Sequence, residues 1–285
     1  MKSSAKDFQH HPEGTITSAH FGRATRELSN YMVSFSLDDN PAGSGTLVTL
    51  GPKFGFLTAA HVADHLWKSP TSHVGIVCSD RASRLYVDRN HMDVIGRTRG
   101  GDDFPDFAFI ELLDTRALGA LKAIKSFYPF TNPSSPQWDR LEPKNATVCF
   151  FAGAPAEQAT SSGDRAAGTH ILTLAHLFGR LQLTDSYERD GFEYLVFICF
   201  AGIHGFPETF GGVSGGGVWH VPFAMNPDKG PDSITNLRAE LLGFAIQQRE
   251  LVDQSRQLVV QGYKGVHQKL IARLPASIPK ATNGL

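Results

Sequence analysis

A serine set among glycines is the first place in this chain where residue types could do chemistry. The stretch Phe210-Gly211-Gly212-Val213-Ser214-Gly215-Gly216-Gly217-Val218 holds five Gly in nine residues around Ser214. Glycine loses more backbone freedom on folding than any other residue, so such a cluster needs a reason. A backbone that turns sharply and aims its N–H groups at one reacting oxygen is such a reason. Ser214 would then be a nucleophile, with the neighbouring amides as an oxyanion hole. The same pattern also suits a plain Gly-rich turn between two strands. A serine hydroxyl is a poor nucleophile until a base takes its proton. The catalytic reading therefore needs a histidine, and an acid to orient it, elsewhere in the chain.

Two stretches answer that need. Thr58-Ala59-Ala60-His61-Val62-Ala63-Asp64 is a small-residue run that opens a short helix after a strand. Asp106 ends a polar Gly/Asp loop at 98–105 and leads straight into the apolar run Phe107–Ile110. Asp102 and Asp103 share that loop and His65 lies near His61, but only Asp106 directly precedes the buried strand, and only His61 has the Thr-Ala-Ala approach. Ser44, Ser161 and Ser162 fall outside the Gly-x-Ser-Gly-Gly pattern.

The elements that must position these residues read as short strands. From Tyr31 the pattern alternates, with Tyr31, Val33, Phe35 and Leu37 on one face and Ser34 and Ser36 on the other, as in a half-buried strand. Further strands are expected at 45–50, 54–58, 72–78, 84–88, 92–97, 146–152, 171–177, 180–184, 192–200, 217–221, 241–248 and 257–261, with turn residues between them. Helical spacing occurs at 114–125 and 265–274. Residues 1–28 read as a polar N-terminal arm, and 154–168 as a surface loop. The Pro-rich segment 127–144 reads as a connection between two halves. This is the pattern of an all-β sandwich or barrel, and the split near residue 130 suggests two barrels of similar size. The first barrel is expected over 29–128, carrying His61 and Asp106, and the second over 129–285, carrying Ser214.

Composition removes several function classes. The chain has 285 residues and a net charge of −1, without the basic footprint that nucleic acid or an anionic membrane attracts. No apolar run reaches the roughly eighteen residues of a membrane helix. The first eleven residues lack the apolar core of a secretory signal. Three cysteines, Cys78, Cys149 and Cys199, sit in apolar strand-like runs without paired spacing. They are expected as reduced thiols in a cytoplasmic protein. There is no Cys-x-x-Cys and no His-Glu-x-x-His, so neither metal nor cofactor is expected.

Together, Leu57-Thr58-Ala59-Ala60-His61, Asp106-Phe107-Ala108 and Gly212-Val213-Ser214-Gly215-Gly216 resemble the three motifs of the chymotrypsin/trypsin-like serine proteases. The order His, Asp, Ser is that family's order. Gly43–Val48 and Leu241–Ile246 also resemble its strands, and the likeness covers about 29–275. It is nearest to intracellular bacterial members, and it implies an all-β fold of two six-stranded antiparallel β-barrels packed together, with a short C-terminal helix. The resemblance implies a triad in which Ser214 attacks a carbonyl carbon, His61 carries the proton, Asp106 orients the imidazole, and the amides of Gly212 and Ser214 bind the oxyanion. It also implies Glu208 at the base of the primary specificity pocket, favouring Arg or Lys, and Ile246, Gln247 and Gln248 as the strand that pairs with substrate. His204 and His220 are read as structural.

One departure stands out. Secreted relatives carry an Asp before the nucleophile, which pairs with a new N-terminus after activation cleavage; here that position is Val213. The expected function is an intracellular serine endopeptidase with a protein or peptide substrate. A regulatory partner in a bacterial stress or defence module is the associated expectation. A catalytically silent peptide-binding module and an esterase-type hydrolase are the alternatives.

Overall fold

The computed structural model describes residues 18–78, 84–99, 105–130, 146–162, 171–174, 177–200, 207–225, 234–237, 239–252 and 255–272. Among these residues eight strands, β1 (Met32–Leu37), β2 (Asn40–Leu50), β3 (Lys53–Thr58), β4 (His73–Val77), β5 (Arg84–Asp88), β6 (Met92–Arg99), β7 (Asp106–Leu112) and β8 (Tyr128–Pro129), precede position 131; the connection expected at 127–144 lies outside the described residues from 131 on. Nine follow it: β9 (Ala146–Gly153), β10 (Thr160–Ser162), β11 (Ile171–Thr173), β12 (Leu177–Arg189), β13 (Phe192–Phe200), β14 (Gly217–Met225), β15 (Ile234–Leu237), β16 (Glu240–Val252) and β17 (Ser255–Gly262). Four helices accompany them: α1 (Ser18–Ser29), α2 (Ala60–Lys68), α3 (Thr115–Ile124) and α4 (Tyr263–Ile271).

Among the described residues the strands divide into two main sheets and a two-stranded one of β10 and β11. In the second sheet β14, β16, β17, β13, β12 and β9 pair in turn, and β9 pairs back with β14, so six strands close a barrel. The first sheet runs β5-β4-β1-β2-β3-β7-β6, with β8 added parallel to β2. Among the described residues it stays open between β5 and β6, a half-barrel facing the closed one. This is the two-barrel chymotrypsin-like architecture, with α4 as its short C-terminal helix.

Local sequence explains the tight corners. The β1–β2 turn places Asp38 at φ 46 and Asp39 at φ 62, and the β12–β13 turn places Asp190 at φ 54 and Gly191 at φ 77. These left-handed pairs are the two-residue hairpin turns whose twist matches the strands, and Asp and Gly tolerate them best. The turn chemistry read across 38–43 therefore shrinks to two residues, and β2 starts at Asn40.

Three regions differ from the sequence reading. The arm expected at 1–28 contains α1, and Phe21, Ala24 and Leu28 recur on it at helical spacing. Ala24 and Leu28 are fully buried, and the Phe21 ring meets Phe150 edge-on with centroids 5.4 Å apart. Strand β1 is buried on both faces, Ser34 and Ser36 included, because it lies between β2 and β4 with α1 packed nearby. The loop expected at 154–168 holds a 3₁₀ turn at Ala156–Gln158 and β10, which pairs with β11; 163–170 lie outside the described residues.

One apolar cluster draws on both sheets, and a second lies within the second sheet. Trp219 on β14 is buried and its ring lies 5.2 Å from those of Tyr31 and Tyr128, both from the first half. Truncating a buried indole removes its burial and leaves a cavity. Trp219→Ala is expected to cost about 3–5 kcal/mol in urea unfolding. Because the ring belongs to both halves, unfolding should remain one transition when followed by both tryptophan fluorescence and circular dichroism.

Candidate active site

The acid and the base are brought together by the start of α2. The preceding residue, Ala59, has no side-chain oxygen to cap the helix, so the first amides need an acceptor from elsewhere. Asp106, at the first position of β7 and buried, supplies it. Its Oδ1 accepts the His61 backbone N–H at 3.0 Å, and its Oδ2 lies 2.5 Å from His61 Nδ1. One carboxylate thus caps the helix and fixes the ring. A carboxylate is also favoured there by the positive end of the helix dipole. The side chain of Asp106 is 4% exposed while that of His61 is 36% exposed, so Nε2 sits on the accessible side of a pair whose acid is sealed. The backbone of Asp106 is held from the other barrel: its N–H donates to Gln261 Oε1 at 3.4 Å, and Gln261 Nε2 donates to the Glu193 carbonyl. His65 lines a surface cavity with Asp38, Asn40 and Lys68, and Asp102 and Asp103 lie outside the described residues.

The Gly-rich stretch forms a tight turn whose four successive carbonyls are each bound. Gly211 O accepts from Ala156 N–H, Gly212 O from Ser44 Oγ–H, Val213 O from Gly216 N–H and Ser214 O from Ser44 N–H, at 2.7, 2.8, 2.8 and 3.0 Å. The amides behave differently. Val213 N–H donates to Phe210 O and Gly215 N–H to Ala245 O, whereas among the described residues those of Gly212 and Ser214 find no acceptor. These are the two amides expected to bind an oxyanion. Gly212 lies at φ 89, a left-handed conformation that a side chain would strain.

The turn is seated against the corner that leads to His61. A Cβ on Gly215 would lie 2.1 Å from Thr58 Oγ1 and 2.2 Å from Ser44 O, and Thr58 Oγ1–H donates to that same carbonyl at 2.7 Å. Ser214 therefore neighbours the strand end three residues before His61. Among the described residues no hydrogen bond links Ser214 Oγ to His61.

Val213 is buried at 1% exposure, and its side chain packs on Gly153, where a Cβ would sit 2.7 Å from Val213 Cγ1. The position that carries an activating carboxylate in the secreted pattern is thus part of the second barrel's apolar core.

The expected specificity residues fall into two groups. Ile246 is buried, Gln247 is exposed, and Gln248 is half-buried with Oε1 accepting Phe210 N–H at 2.6 Å. Strand β14 pairs with β16 only as far as Phe244, so beyond it that edge of β16 carries no strand partner among the described residues. Glu208 is exposed, and its backbone is what the structure holds. Glu208 N–H donates to Glu157 Oε1, Thr209 N–H and Oγ–H donate to Glu157 Oε2, and Arg256 Nε–H donates to Glu208 O.

His220 is buried beside Glu240, away from this turn, and burial holds it below its ordinary pKa; His204 lies outside the described residues. Among the described residues no group of three His, Cys, Asp or Glu is placed to hold a metal ion. Sequence reasoning gives no role to Ser44, Glu157 or Gln261. Only Ser44 leaves a trace, since glycines on both sides of a residue in a strand mark a close backbone approach.

No protein-family model and no curated protein sequence matches the chain. Among solved structures it is similar to the serine protease domain of the Sesbania mosaic virus polyprotein, at 12% identity over 84% of this chain and 91% of that one, with a TM-score of 0.44. It is also similar to neuropsin, a serine protease expressed in mouse brain, at 14% identity over 83% and 90% with a TM-score of 0.41. Deg5 is a third, at 12% identity over 81% and 87% with a TM-score of 0.43.

The Glu157 clamp has a pH signature. Backbone N–H donation, from Glu208 first and then Thr209, holds the Glu157 carboxyl below the usual carboxylate range. A lowered pKa stabilises the fold above the ordinary carboxylate pKa, and that contribution is lost as pH falls through the lowered value. Glu157→Gln should therefore melt at a lower temperature than the parent chain at pH 7. The difference should shrink as the pH is taken below about 4, as thermal scans at a series of pH values would register.

Proposed function

We propose that the chain is a serine endopeptidase that cleaves a peptide bond of a protein partner through an acyl-enzyme. The observation that carries this reading is the pairing of His61 with a sealed Asp106, beside a turn that keeps two amides unpaired next to Ser214. With Nδ1 facing Asp106, the ring presents Nε2 as the proton acceptor. Ser214 Oγ–H would give its proton to Nε2 as Oγ attacks the carbonyl carbon. The carbonyl oxygen, now negative, would be received by the Gly212 and Ser214 N–H groups, an arrangement worth on the order of 3–4 kcal/mol per donor in other enzymes. His61 then passes the proton to the leaving amine. In the second half a water gives its proton to His61, its oxygen attacks the acyl carbon, and Ser214 is regenerated.

Substrate binding follows from the free edge of β16. An extended peptide can add to Ile246–Gln248 by backbone hydrogen bonds, with side-chain choice left to the neighbouring surface. Glu208 is placed in this reading as a carboxylate at the mouth of that surface, selecting Arg or Lys. Val213 removes the carboxylate of the cleavage-activated relatives, so the reading needs no proteolytic activation. A reducing compartment such as the cytoplasm suits the three free thiols, of which Cys149 and Cys199 are pushed up to about 12 by burial and are correspondingly inert.

A fluorophosphonate probe tests the chemistry. The parent chain should be labelled at Ser214, and Ser214→Ala should abolish labelling without altering the far-ultraviolet circular dichroism. An unlabelled parent chain would sink the catalytic reading in favour of a peptide-binding module. Labelling accompanied by turnover of simple esters but of no peptide would favour the esterase. Specificity is checked with a peptide library: Glu208→Ala should lower the preference for Arg and Lys at least tenfold, and an unchanged preference would remove Glu208 from the pocket.

A further inference from the structure

Ser44 is a strand residue of the first barrel, yet its bonds go to the nucleophile turn of the second. It is fully buried. Its Oγ–H donates to Gly212 O at 2.8 Å, its Oγ accepts Ala154 N–H at 3.0 Å, and its N–H donates to Ser214 O at 3.0 Å. Its own carbonyl is fixed by Thr58 Oγ1–H. Of the four bound carbonyls from Gly211 to Ser214, Gly212 O alone is bound by a side chain.

That carbonyl belongs to the peptide plane between the two unpaired amides. A trans peptide is rigid, so the N–H and C=O on one plane point in opposite directions. The amide of Gly212 is aimed by the bond on Gly211 O, and that of Ser214 by the bond on Val213 O. Their angle to each other depends on the intervening Gly212–Val213 plane, which is held at its N–H by Phe210 O at 3.1 Å and at its C=O by the Ser44 hydroxyl. In the secreted pattern the residue after Gly212 carries the carboxylate that orders this turn. Here that residue is Val213, and its side chain is in the core.

We propose that Ser44 is the positioning residue of the oxyanion hole, its hydroxyl holding the Gly212–Val213 peptide so that the Gly212 and Ser214 amides converge. The proposal rests on the serine-protease reading above. It assigns to a hydroxyl of the first barrel, present from folding onward, the ordering that an activation-dependent ion pair supplies in the secreted pattern.

Labelling kinetics with a fluorophosphonate separate the cases, because the adduct places a phosphoryl oxygen in the oxyanion hole. The full chain and its Ser44→Ala and Ser44→Cys variants would each be titrated to give the reversible binding constant and the limiting rate of phosphonylation, with melting temperatures measured in parallel. Expected for Ser44→Ala is a fall of about 10²-fold in the limiting rate, the scale of removing one oxyanion donor, with the binding constant changed less than twofold. Ser44→Cys, which keeps a weaker donor, should fall between the two, and it serves in place of Ser44→Ala if that variant does not fold. A parent chain that reacts and a Ser44→Ala variant that reacts as fast would overturn the role of Ser44 while leaving the protease reading intact. Equal losses in both variants, tracking a drop in melting temperature, would reduce Ser44 to a packing residue and overturn the proposal too. A parent chain that does not react at all would overturn both readings.

Discussion

The seat of the glycine-rich turn on Ser44 of β2 and on Thr58 at the end of β3 is the contact on which the candidate site depends. Gly215 approaches so closely that Thr58 Oγ1 and Ser44 O occupy the place a Cβ would take. Thr58 belongs to the strand end that runs on into α2, so this contact places the turn against the segment that leads to His61. A side chain at 215 would push the second barrel's turn away from the first barrel's histidine. The four carbonyls from Gly211 to Ser214 are all bound, while among the described residues the amides of Gly211, Gly212 and Ser214 find no acceptor.

The pair on the first barrel follows the same economy. A helix starting at Ala60 without its own capping side chain needs an acceptor, and Asp106 provides it with one oxygen while meeting the imidazole with the other. The arrangement makes the orientation of His61 inseparable from the integrity of α2. Gln261 on β17 grips the Asp106 backbone, so even the acid is referenced to the second barrel. Trp219, between Tyr31 and Tyr128, and Phe21 against Phe150 tie the barrels elsewhere. Residues drawn from two sheets keep one geometry only if the sheets do not move relative to each other, and these bonds and rings limit that motion.

Much of the fold is legible in the chain's own residue pattern. Alternation and turn residues locate most strands within a few residues, and Arg84–Asp88 and Phe192–Phe200 match the observed bounds. The misses have identifiable causes. Helix α1 is hidden because only three apolar residues, Phe21, Ala24 and Leu28, mark its face in a polar segment. The stretch after Ala154 reads as a loop because its order comes from partners far along the chain, Gly211 through Ala156, and Glu208 and Thr209 through Glu157.

By itself the sequence determined the residue types and their order: a histidine after a small-residue run, an aspartate before a buried strand, a serine among glycines, and a valine where a carboxylate would mark activation by cleavage. Those follow from local chemistry, since a left-handed turn needs glycine and a buried strand needs apolar residues wherever they occur. Tertiary structure decided which groups those residues meet. Ser44 reaches Gly212 across 168 positions and Asp106 reaches Gln261 across 155. No local pattern encodes such partners, because the hydrogen bonds exist only once two separately formed sheets have packed and each buried carbonyl has found the nearest donor.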